Sequence, residues 1–176
     1  MSPTFAALMA LLLPSAALAQ GYNREDIVRG LCQKDGCDEF VIVEKKPVAE
    51  KPDGALYSTR VRAFHASHQG RVDRGEENGF VYCSPTKPAI LATQEGQPPT
   101  AFLLAPYSQD PAYEQRKSTN LYALYFALCH GLEAGKAAGR DRQGVARSFN
   151  YRVSLTQPKT VTLKRVEDIF DPPPGG

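Results

Sequence analysis

Leu56-Tyr57-Ser58-Thr59-Arg60-Val61-Arg62-Ala63-Phe64-His65 alternates Tyr57, Thr59, Val61 and Ala63 against Ser58, Arg60 and Arg62. A period of two over this length predicts a strand with one face buried and the other wet. Upstream, Glu39-Phe-Val-Ile-Val-Glu44 has the β-branched and aromatic character of a second strand, joined to the first by a loop through Pro47, Pro52 and Asp53-Gly54. The two are expected to pair as an antiparallel hairpin.

Working outward, Asn23 with Glu25 and Asp26 behind it resembles a helix cap, and Ile27, Val28 and Leu31 form a short apolar stripe. A short N-terminal helix from Arg24 to Cys32 is expected. Ala66 to Gly79 is polar and rich in Gly, Asp, Glu and Asn, which predicts a surface loop before a strand at Phe80-Val-Tyr-Cys83. Ala89 to Thr93 extends the sheet at an edge, and Ala101 to Ala105 is apolar but too short to assign by period.

The main helix is expected over about 112–130, where Leu121, Leu124, Tyr125 and Leu128 recur at i, i+3, i+4 and i+7. Gly131, Gly135 and Gly139 make a poor helix interior, so Leu132 to Gln143 reads as a frayed extension or loop. Phe149 to Thr156 and Thr160 to Val166 alternate around Gln157-Pro-Lys159, the pattern of a β-hairpin. The class is therefore α+β: a mostly antiparallel, disulfide-braced sheet packed against one main helix and a short N-terminal one.

The N-terminus bounds the compartment. Phe5 to Leu13 is apolar but only about half the ~20 residues that cross a bilayer, and Pro14-Ser15 interrupts it. Ala17-Leu18-Ala19 then supplies the small-x-small pattern of a signal-peptidase site, although no Lys or Arg precedes the apolar run. The expected organisation is a cleaved signal peptide over 1–19, one globular domain over 20–170 and a disordered Pro/Gly tail over 171–176. The expected destination is the periplasm or the external medium, with no transmembrane segment after cleavage.

Export gives the cysteines their meaning. Cys32, Cys37, Cys83 and Cys129 all lie beyond the cut, and an even count in an oxidising compartment reads as two disulfides. Cys32 and Cys37 bracket the turn-forming Gln-Lys-Asp-Gly, which predicts their pairing and leaves Cys83 for Cys129. No cofactor is expected: the Cys spacing suits neither a four-thiolate metal site nor haem attachment, since position 126 is Phe.

Two constellations remain for function. A net charge of +2 is too small to imply nucleic acid, yet Ala134 to Arg165 is dense in cations with Asp141 as its single acid. Arg140, Arg142, Arg147 and Arg152 are the candidate binding residues, for an anionic envelope component or an acidic protein partner. This gives a small exported binding or accessory protein rather than an enzyme. The alternative is a metal-dependent or acid-base hydrolase, with His65 and His68 as candidate metal ligands beside Glu76 and Glu77. His130, at the end of the main helix, is expected to cap it as an imidazolium, and Tyr107, Tyr113 and Tyr122 could line a groove at its entrance.

Overall fold

A computed structural model describes residues 23–109 and 118–171. The expected signal peptide, the 112–117 part of the main helix, Tyr113 and positions 172–176 of the tail lie outside the described residues.

Among the described residues seven strands form one antiparallel sheet in simple chain order: β1 (Val28–Gln33), β2 (Gly36–Lys51), β3 (Gly54–Ser67), β4 (Gly70–Cys83), β5 (Ala89–Ala92), β6 (Thr100–Leu103) and β7 (Lys159–Thr162). The expected hairpin is present, with Phe40 opposite Ala63 and Ile42 opposite Val61. Its strands run further than the sequence suggested, because β2 continues through Pro47 to Lys51. β1 reaches only Phe40, so beyond that point β2 is an edge strand, where proline is tolerated. Tight two-residue turns join the first four strands. Gly36 and Gly54 open β2 and β3 at φ of +137° and +155°, and a Cβ on Gly54 would meet the Cys83 carbonyl at 2.7 Å.

Both faces of the sheet are used. Val61 and Val81 point to one face, where they pack under Tyr122, Tyr125 and Phe126 of α1 (Ser118–His130). Leu56, Tyr82, Leu91 and Leu103 point to the other, where Leu163 and Ile169 from the C-terminal segment cover them. That cover stops short of β1 and the first half of β4, so the second face is open there.

Four expectations are corrected. The N-terminal helix reduces to a single 3-10 turn, Arg24–Asp26, because Val28–Gln33 pairs with β2 instead. The polar stretch 66–79 is chiefly β4: its side chains lie on the wet part of the sheet, so polarity there marks exposure rather than a loop. Cross-strand ion pairs Arg62–Asp73 and Arg60–Glu76 replace apolar packing along it.

Leu132 to Gln143 contains α2 (Leu132–Ala138), followed by α3 (Arg142–Ser148), so the sheet packs against more than one helix. Gly135 is a contact rather than a breaker: a Cβ there would come within 2.5 Å of the Ala127 Cβ, so its absence lets α2 lie against α1. The C-terminal hairpin does not form. β7 pairs with β6, while Phe149 to Thr156 adds no strand and is tethered through the Arg152 amide, which donates to the Pro85 carbonyl.

Candidate anion-binding surface

The open end of the sheet is organised around one carboxylate. Glu39, on β2, is completely buried, a place where an ionised carboxylate needs a counter-charge beside it. Arg29 stands opposite it in the β1–β2 register, and both its Nε, at 2.8 Å, and its Nη2 donate to Glu39 Oε1. Arg71, on β4, places Nη2 2.6 Å from Oε2, an ion pair without hydrogen-bond geometry, so Oε2 is buried with a counter-charge but no donor. Phe64 of β3 lies beneath, with the guanidinium carbons of Arg62 and Arg71 each 5.9 Å from its ring centroid.

Arg24, Arg29 and Arg71 also line an open cleft of about 530 Å³, together with Ile27, Ala66, Ser67 and Gly70. The Arg29 side chain is 56% exposed and that of Arg71 27%, whereas Glu39 is 0% exposed. Both arginine side chains reach solvent, and the acid that orders them is hidden. Such an arrangement attracts anions and presents them with fixed forked donors.

Sequence reasoning missed this cluster because its members are scattered over 24–71. The cysteine pair fixes the β1–β2 register only near the turn: continued straight back it would set Arg29 opposite Phe40, and an irregularity between Arg29 and Cys32 shifts the pairing to Glu39.

The expected basic residues do not form one surface. Arg140, Arg147 and Arg152 are exposed, but Arg142 is 8% exposed and turned inward. Its Nε donates to the Pro106 carbonyl at 3.1 Å and its Nη2 to that of Ser108 at 2.6 Å, while its guanidinium lies over Tyr122. It is a structural strut beneath the chain.

The histidine–carboxylate constellation does not assemble either. His65 faces Val72 across β3–β4, while Glu76 and Glu77 face Arg62 and Val61, three and four rungs away. His68 is exposed in the following turn. Among the described residues no group of three His, Cys, Asp or Glu side chains converges to hold a metal ion.

His65 is instead a clasp. Its Nδ1 lies 3.0 Å from Asp38 Oδ1 and its Nε2 3.0 Å from the Asp35 carbonyl, so both ring nitrogens meet acceptors. The Asp38 hydrogen bond, then that to Asp35, raises its pKa. Asp38 is also contacted by Arg74 at 3.3 Å and accepts from Asn120 Nδ2 at 2.8 Å.

His130 does not cap the main helix. Its Nε2 is 2.8 Å from the Tyr151 hydroxyl, which in turn is 2.9 Å from that of Tyr125. Burial, and then the nearby Lys45 charge, lower the His130 pKa. The phenol of Tyr151 is pushed up to about 12 by burial, so it remains a donor at neutral pH. Tyr122 packs, its buried hydroxyl accepting from the Ala105 amide, whereas Tyr107, which donates to the Tyr151 carbonyl, lines an open groove with Val153 and Leu155.

The chain matches no protein-family model, no curated protein and no solved structure. Its own geometry therefore carries the functional argument. Disulfides Cys32–Cys37 and Cys83–Cys129 are both formed, in the expected pairing. They fit an extracellular setting, and no helix among the described residues is long and apolar enough to cross a membrane.

Proposed function

We propose that this chain is an exported accessory protein, cut after Ala19, working in the periplasm or outside the cell as a single domain over 20–170. Its role in this reading is to hold an anionic envelope component or acidic protein partner. The observation that supports it most is the convergence of Arg24, Arg29 and Arg71 on an open cleft whose ordering carboxylate, Glu39, is buried. Exposed Arg140, Arg147 and Arg152 supply a second basic stretch that adds long-range attraction.

The test is retention of the mature protein on an immobilised sulfated polysaccharide, read as the salt needed for elution. Arg24→Glu is expected to elute at clearly lower salt, and joint reversal of Arg140, Arg147 and Arg152 to shift elution less. Co-elution of Arg24→Glu with the parent protein would remove the cleft from the function.

A further inference from the structure

We propose that Arg24, Arg29 and Arg71 form a site for one tetrahedral oxyanion, the phosphate group of a small solute or of a lipid headgroup, with Glu39 as its positioning residue. The proposal rests on the basic-cleft reading above and narrows it from a sign of charge to a chemical group.

Arg29 commits Nε and Nη2 to Glu39 Oε1 by hydrogen bonds, and Arg71 sets Nη2 against Oε2 as an ion pair, so a single carboxylate gathers both cations. Because Glu39 is wholly buried, it holds them without offering an oxygen to solvent that would repel an arriving anion. The base is stiff. Phe64 lies beneath the Arg71 plane, and the Cys32–Cys37 disulfide pins β1 to β2 near Arg29.

The other acids at this end are engaged elsewhere or turned from the cleft. Asp73 is held by Arg62, and Asp38 by His65 and Arg74. Glu25 and Asp26 share the turn of Arg24 but do not line the cleft. One carboxylate ligand would be satisfied by a single guanidinium fork. Three arginines around one opening suit a group with more oxygens, which is phosphate.

The deciding experiment is a titration with inorganic phosphate, followed by the NMR signals of the arginine Nε–H groups, against chloride at matched ionic strength. Saturable shifts are expected at Arg29 and Arg71, with Arg24→Gln weakening binding about threefold or more. Glu39→Gln is the sharper variant, because it makes the protein one charge more positive. Diffuse attraction predicts tighter binding, whereas a site positioned by Glu39 predicts a loss of about tenfold or more.

Unchanged or tighter phosphate binding by folded Glu39→Gln overturns the proposal. Should that variant not fold, Arg24→Gln decides, and unaltered phosphate affinity there overturns it equally. Vesicles of phosphatidylglycerol separate the two sources. Sedimentation with them that free phosphate competes away assigns the lipid headgroup, and phosphate saturation without vesicle binding assigns a small solute. If neither binds while polysaccharide retention still depends on Arg24, the phosphate site fails and the basic-surface reading survives. If retention is also indifferent to Arg24, both fail.

Discussion

Lys45 Nζ donates to the Leu128 carbonyl at 2.6 Å, tying the middle of β2 to the last turn of the main helix. The same ammonium lies 3.9 Å from the centroid of the Tyr57 ring, so one cation serves a helix terminus and an aromatic face together. It takes the role that position alone would assign to His130. A positive charge so close is also one reason that His130 is disposed to stay neutral.

Replacing Lys45 by Met removes the carbonyl's partner and is expected to cost about 1 kcal/mol, read from urea unfolding. It should also let the His130 pKa rise, since the nearby positive charge that helps to lower it is gone, and an NMR titration of the ring would show it. An unmoved His130 midpoint would show that burial alone sets its state.

The two histidines predict opposite pH slopes. His65 has a raised pKa in the folded protein, so its contribution is fully present below the unfolded value and is lost as pH rises through the folded one. His130 has a lowered pKa, so its contribution is present above the unfolded value and is lost as pH falls toward the folded one. Stability should therefore be greatest between the two transitions. Amide protection in the Cys32–Cys37 hairpin, taken relative to the base-catalysed intrinsic exchange rate, should fall on the alkaline side, and His65→Phe should abolish that fall.

The two disulfides should not be equal. Cys83–Cys129 spans 46 residues of chain and Cys32–Cys37 only 5. The chain-entropy treatment gives losses of about 4 and about 2 kcal/mol respectively. Paired Cys→Ala variants compared by thermal melting would check the order, and a larger loss from the short loop would mean that native-state contacts outweigh the unfolded-state term.

Gly135→Ala sets local preference against packing. Alanine favours a helix interior over glycine by about 1 kcal/mol, yet its Cβ would sit 2.5 Å from that of Ala127 and 2.7 Å from the Ala123 carbonyl. The variant is expected to be destabilised by about 1 to 3 kcal/mol, as overpacked cores are. A higher melting temperature would show that α2 can move away from α1 at little cost.

By itself, the sequence determined what local pattern and covalent chemistry determine. The period-two alternation of Leu56 to His65 announced the central strand, the Leu121 to Leu128 stripe the main helix, and the short Cys32–Cys37 spacing its own partner. Tertiary structure decided the rest wherever a residue's meaning depends on what lies opposite. The polar residues of 70–78 are a strand because ion pairs with β3 stand in for a buried face, and a helix carries glycine at 135 because Ala127 leaves no room there for a side chain. Arg142 turned inward to two carbonyls, while Arg29 and Arg71, far apart in the chain, met on Glu39. A buried carboxylate must gather its counter-charges from whichever strands pass beside it, and only sheet register decides which those are.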